Sequence, residues 1–300
     1  MTDIDAWPEL PIAEFQDTRD TLHMWTQIVG KVSLALAPMV NHWWATTFRV
    51  SANGLRTPLL PYRDGGIEME FELRRHVLSI VTSTGRRGQV ALAPRSVADF
   101  YHEFRARLVD LGIEVRIFPV PVEIPSVIPF AKDEEHASYD AAAVERFHSL
   151  LVSANAVLEE FRSRFVGKAS PVHFFWGGFD LAVTRFSGRR APRYPGGVPN
   201  CANWVMERAY SHEVSSCGYW PGRGIEGEFY SYAYPTPQGF RDGSVEPDGS
   251  FYDDVLGEFV LPYADVRRAS DPAGVLLTFL QSTYERAAEL ADWDRKALEA

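Results

Sequence analysis

Along DTRDTLHMWTQIVGKVSLALAP (17–38) apolar residues return every three or four positions, so Leu22, Trp25, Val29, Val32 and Leu36 form one helical stripe. Asp17 is placed to cap this helix and Pro38 to stop it. The opposite stripe carries Arg19, His23, Gln27 and Lys31, each four residues after the last. Such a stripe reads as a wet helix face, the other reading being a pocket wall. A second helix follows the Ser96/Asp99 capping pattern, buries Val97, Phe100, Tyr101, Phe104, Leu108 and Leu111, and ends at Gly112. A third carries Val144, Phe147, Leu151, Ala154, Leu158, Phe161 and Phe165 at helical spacing, and a fourth runs from about Pro272 with Val275, Leu276, Phe279, Leu280 and Tyr284 inward.

Between the helices the period drops to two. Ile67, Met69, Phe71 and Leu73 alternate with Glu68, Glu70 and Glu72, as in an antiparallel strand with one wet face. A turn at Arg74–His76 leads into a strand with Leu78 and Ile80. IEVRIF (113–118) reads as another strand, and in HWWATTFRV (42–50) alternation puts His42, Trp44, Thr46, Phe48 and Val50 on one face. The stretch at 119–140, PVPVEIPSVIPFAKDEEHASYD, holds four prolines and an acidic cluster and reads as an ordered crossing or linker.

HWWATTFRVSANGLRTP and HFFWGGFDLAVTRFSGRRAP resemble each other. His42 aligns with His173, Trp43 and Trp44 with Phe174 and Phe175, and Phe48 with Phe179; a three-residue insertion then brings Gly54 opposite Gly188 and Pro58 opposite Pro192. Each follows a helix and precedes more strands. The expectation is an α+β fold: antiparallel sheets from two related helix–meander–helix halves (1–130 and 131–300), packed by at least four helices into one unit.

Composition narrows the function classes. A net charge of −10 over 300 residues lacks the basic footprint of a nucleic-acid binder and disfavours anionic membrane surfaces. No apolar run approaches the roughly 20 residues that span a bilayer, and the acidic, proline-punctuated start does not read as a signal peptide. Two cysteines, Cys201 and Cys217, make no disulfide framework and no CxxC pair, which suits a reducing cytoplasm. Aromatics at 13% suit thick packing layers or an aromatic-walled pocket.

The chain has no P-loop, no GxGxxG after a strand, no HExxH and no GxSxG; GRGIEG (222–227) precedes a strand and reads as a turn. What remains is a histidine set: His23, His42, His173 and His212, with Asp180 and Glu213 near in sequence. Histidine titrates near neutrality and ligates metals, so His42, His173 and His212 are candidate catalytic groups, with Asp180 or Glu213 to orient a ring. Two or three of these histidines with a carboxylate would suit a divalent metal, though no compact ligand spacing is present. Histidines simply wedged among aromatics at strand starts are the plainer reading. In YSHEVSSCGYWPG, Cys217 is a nucleophile candidate or a packed thiol. Arg185 and Arg189 could hold an anionic group or pair with surface acids, and Trp44 and Trp176 could wall the pocket. The leading expectation is a small-molecule enzyme or ligand-binding protein; the alternative is a non-catalytic scaffold or interaction domain.

DTRDTLHMWTQIVGK, PVHFFWGGFDLAVTRFSGRRAP, AYSHEVSSCGYWPG, FYSYAYP and FLQSTYE together resemble, essentially end to end, an uncharacterised bacterial family catalogued as a domain of unknown function. That resemblance implies no reaction, ligand or catalytic residue.

Overall fold

The computed structural model describes residues 5–300. Its first helix, α1 (Ile12–Leu36), starts directly after Pro11, five residues before the expected Asp17 cap, and ends where Ala37 turns extended ahead of Pro38. Six strands follow: β1 (Arg49–Val50), β2 (Gly54–Arg56), β3 (Leu60–Tyr62), β4 (Gly65–Glu72), β5 (Val77–Thr82) and β6 (Arg87–Ala91). They form an antiparallel sheet ordered β1-β2-β4-β5-β6, with β3 also on β4. Ile67, Met69 and Phe71 face the core as the alternation requires, while Glu68 and Glu70 stay half-buried and Glu72 is covered by Arg75, 2.6 Å away.

Helix α2 (Val97–Asp110) opens at Ser96, whose hydroxyl accepts the Asp99 N–H, and ends at Gly112 in the left-handed region. Because one orphan helix donor depends on that hydroxyl, Ser96→Ala is expected to lower the unfolding free energy by about 1 kcal/mol in urea melts, with the m-value unchanged. IEVRIF is not a strand. Ile113, Val115 and Ile117 do turn inward, but no neighbouring strand pairs with the segment.

Helix α3 (Ala141–Ser163) is followed by β7 (His173–Phe175), β8 (Asp180–Arg190), the short helix α4 (Asn203–Ala209), β9 (His212–Trp220), β10 (Glu228–Tyr234), β11 (Phe251–Asp253), β12 (Glu258–Pro262), α5 (Tyr263–Arg268), α6 (Pro272–Leu290) and α7 (Arg295–Leu298). The second antiparallel sheet is ordered β11-β12-β10-β9-β8-β7. Helices α3 and α6 pack on one face of it, through Leu181, Val183, Cys217, Phe229 and Leu261. Helix α1 packs against α2, α3 and β3, buried nearly all round from Thr21 to Ser33, with Trp25 stacked on Phe100 at 4.7 Å and Tyr139 at 5.6 Å. The apolar core is continuous from Leu10 to Trp293.

The α+β class and the antiparallel sheets are as expected; the internal duplication is not shown. The two matching stretches fold differently. His173–Phe175 is strand, but Asn41–Trp43 is a 3-10 turn in which His42 (φ 55°) and Trp43 (φ 65°) are left-handed. Contacts distant in sequence hold that turn: His42 Nδ1 donates to the Ala209 carbonyl (2.8 Å) and Trp43 Nε1 to Val205 (2.9 Å). The stretches nevertheless touch, since Phe48 and Phe174 exchange two 2.9 Å backbone hydrogen bonds and so join the sheets edge to edge. Among the described residues no helix is long and apolar enough to cross a membrane.

Candidate functional site

The face of the second sheet opposite α3 and α6 is polar and aromatic. Alternation along β8 aims Asp180, Ala182, Thr184 and Phe186 at it, and the register sets Ala182 beside Gly218 and Tyr230, and Thr184 beside Ser216 and Tyr232. Thr184 and Ser216 hydroxyls lie 2.8 Å apart, and the Tyr210 and Tyr232 hydroxyls 2.7 Å apart. Gly218 has a structural reason to be bare: a Cβ there would sit 2.1 Å from the Leu181 carbonyl oxygen and 2.7 Å from the Tyr230 hydroxyl. Tyr230 thereby crosses the strand and donates to Asp180 Oδ2.

At this end of the sheet the chain assembles a group of acids. The Trp176-Gly177-Gly178 turn between β7 and β8 brings up Glu123 from the proline-rich crossing. A Cβ on Gly178 would lie 2.8 Å from Asp180 Oδ1 and 3.8 Å from Glu123 Oε2, and one on Gly177 only 2.1 Å from Glu123 Oε1. Bare backbone is what lets two carboxylates converge here. Glu123 itself is left-handed (φ 62°) and is fixed from both sides. Gln27 clamps the preceding residue, its Oε1 accepting the Val122 N–H (2.8 Å) and its Nε2 donating to the Val122 carbonyl (2.9 Å). The Glu123 N–H donates to Pro199, and the Asn200 amide to Ile124.

The polar stripe of α1 therefore lines an interior wall. Gln27 is fully buried and Lys31 is 5% exposed, its ammonium 5.9 Å from the Trp176 ring and 5.8 Å from Phe118. His23 Nε2 lies 2.8 Å from the Gly177 carbonyl, to which it donates. Amphipathicity alone gives the wet-face reading, because the pattern separates polar from apolar faces and not water from interior polar groups.

Electrostatics set these groups near neutrality. Burial, then repulsion from Asp180, pushes Glu123 up to about 7 against the opposing field of Lys31. Burial pushes Asp180 up to about 6, against the Tyr230 hydrogen bond. Glu258 on β12 rises to about 8 through burial and the nearby Glu228, Asp180 and Asp253. Burial lowers Lys31 to about 8, opposed by Cys201 and Glu123, and lowers His23 to about 4, so that ring is neutral. All three acids nevertheless remain half-buried rather than sealed.

The expected histidine trio is distributed differently. His42 and His212 rings are 5.9 Å apart; His173 lies beyond Trp44, whose ring is 5.3 Å from His42 and 6.4 Å from His173. His173 is fully buried, Nδ1 on the Thr47 hydroxyl at 2.9 Å, and is held well below its usual value by burial and by Arg49 and Arg162. Asp180 turns to Tyr230 rather than to a histidine, and Glu213 binds Arg189 (2.7 Å) and Ser187 (2.9 Å). Arg185, expected to hold a ligand anion, projects to the helix-packed face, fully buried over Phe161 (3.5 Å) and Tyr284 (4.2 Å) and donating to the Phe161 carbonyl. Cys217 is also interior, pushed up to about 12 by burial, which makes it a packed thiol. Trp176 donates to the Thr46 carbonyl (2.8 Å) and covers Gly30 of α1, whose added Cβ would sit 2.4 Å from the indole. Among the described residues no three His, Cys, Asp or Glu side chains are grouped to hold a metal ion.

Glu123 belongs to none of the motifs or stripes legible in the sequence. Its signal was present: it is the lone charge in PVPVEIPSVIPF, an apolar, proline-rich run where an acid has no reason of solubility to sit. A surface concavity of about 960 Å³ lies elsewhere, on the wet face of the first sheet among Glu68, Glu70, Glu72, Arg75, Arg86 and Arg87. It is open and carries partners such as Arg75 and Glu72 that neutralise each other, so the acid cluster is the stronger chemical candidate.

No curated protein and no solved structure matches the chain. A family model does match residues 7–300, and the chain belongs to that family of unknown function, DUF5996.

Proposed function

We propose that the protein is a small-molecule enzyme of the cytoplasm that transfers protons with the carboxyl pair Glu123 and Asp180. The observation that carries this reading is their convergence at Gly178, one raised to about 7 and the other to about 6. Near pH 7 such a pair offers one protonated and one ionised partner, the division that general acid–base catalysis needs. Coupled carboxyls titrate as a pair, so acid and base are roles within the pair. Lys31 supplies an opposing charge that lowers Glu123, Tyr230 fixes the Asp180 carboxylate by its hydrogen bond, and Trp176, Trp220 and Tyr232 give a rigid aromatic wall for a small polar substrate.

The test is to incubate wild type and Asp180→Asn with a small-molecule cell extract and follow compounds by mass spectrometry. Wild type should deplete one compound and form its product, with the variant slower by about 100-fold or more. An extract left unchanged by wild type, or converted equally fast by Asp180→Asn, would overturn the proposal.

A further inference from the structure

A second cluster, at the other end of the same sheet face, is made of bases instead of acids. Lys168, in the segment between α3 and β7, donates from Nζ to His42 Nε2 at 2.7 Å. The tautomer of His42 is fixed by its Nδ1 bond to Ala209, so Nε2 is held as an acceptor toward the lysine. His212 stands 5.9 Å from His42, and Arg190 is its direct cross-strand partner in the β8–β9 register. A residue pair opposite each other on antiparallel strands places both Cβ atoms on one side at about 5 Å. Phe186 and Trp44 floor the group, their ring centroids 4.7 and 5.4 Å from Lys168 Nζ.

Four basic groups crowding together in a chain of net charge −10 is unexpected. Forty acids are available, yet among the described residues no carboxylate pairs with Lys168 or Arg190 within 4 Å. The nearest acid in sequence, Glu213, is committed to Arg189 and Ser187. The mutual repulsion is visible in the protonation of the histidines: His42 is lowered by burial and by Lys168 and His212, and His212 by burial, Lys168 and Arg190. The backbone is specialised here too. His42 and Trp43 are both left-handed, and β8 breaks register between Phe186 and Arg190, where Gly188 takes φ 88°. Left-handed non-glycine residues and bulges persist where the surrounding structure fixes them, and they cluster at sites that bind.

We propose that Lys168, His42, His212 and Arg190 form a site for a small oxyanion, the phosphate or carboxylate group of a ligand. Lys168 keeps two ammonium hydrogens beyond the one given to His42, and Arg190 adds a guanidinium fork. An arriving anion is met by the free ammonium hydrogens of Lys168, the Arg190 guanidinium and His212, while His42, both ring nitrogens engaged, holds Lys168 in place. This inference does not depend on the acid–base reading of Glu123 and Asp180, which are used nowhere in it.

Inorganic phosphate and acetate, each titrated against chloride at matched ionic strength, test it through thermal unfolding and the imidazole resonances of His42 and His212. Wild type should be stabilised in a saturable way with both rings shifting, and Lys168→Ala should bind at least about tenfold more weakly. Arg190→Gln carries the same comparison should the lysine variant fold poorly. A response to phosphate alone assigns a phosphoryl ligand, a response to acetate alone a carboxylate, and a response to both a general oxyanion site. No response beyond chloride, or undiminished binding by the variants, overturns the proposal.

Discussion

Glu123→Gln is expected to stabilise the protein above pH 7 while slowing the proposed proton transfer. The unfolded chain releases the Glu123 proton near 4.5 and the folded chain only near 7. Between those values the folded state holds more protons, so stability falls as pH rises through the window and stays lower above it. A neutral amide removes that cost. The gain is about 2 kcal/mol at pH 8 once relaxation and the lost attraction to Lys31 are discounted, and it should fade to nothing below about pH 4.5. Urea unfolding of wild type and variant at pH 8 and pH 4 reads this difference directly. Catalysis should fall by about 10²–10⁴, the range ascribed to one acid–base group. A variant less stable than wild type at pH 8 would mean that Glu123 is a structural anion and not a strained functional one.

Gly218→Ala should cost about 3 kcal/mol, near the upper end for overpacking, and lower the melting temperature by roughly 5 °C. The neighbour that its Cβ meets at 2.1 Å is the Leu181 carbonyl, which belongs to the β8–β9 ladder and cannot rotate away. Relief requires the strands to part, and Tyr230 must also leave Asp180. Gly85→Ala is the control, because Gly85 has φ 86° but nothing within 4 Å of an added Cβ. That variant should lose only about 1 kcal/mol from left-handed strain. Equal losses for the two in denaturant melts would refute the steric argument.

Legibility in the sequence followed the reach of the forces. Helices α2, α3 and α6 were readable because their stripes and caps, Ser96 among them, are local. Strands β4 and β5 were readable because Glu68 and Glu70 mark the wet side. The turn at His42 was not, since it depends on Ala209 and Val205 some 160 positions away, and its aromatic residues otherwise favour a strand. Asp180 was legible as a candidate. Its partner Glu123 was not, because the two converge only when the crossing folds back on the Gly177-Gly178 turn. The stripe of His23, Gln27 and Lys31 was seen, but its direction depends on what packs against α1.

The Gln27 clamp has a consequence for motion. A side chain, and no neighbouring strand, holds Val122, so the crossing that carries Glu123 belongs to neither sheet. Its prolines supply no N–H for a ladder. Detaching it near Glu123 breaks the two Gln27 bonds and those to Pro199 and Asn200, while every strand pairing stays intact. Local opening there therefore draws on a handful of hydrogen bonds and on the packing of Pro121, Val122 and Ile124, and not on the strand ladders. One of the two acids thus rides on an element able to part from the other without unfolding the sheet beneath.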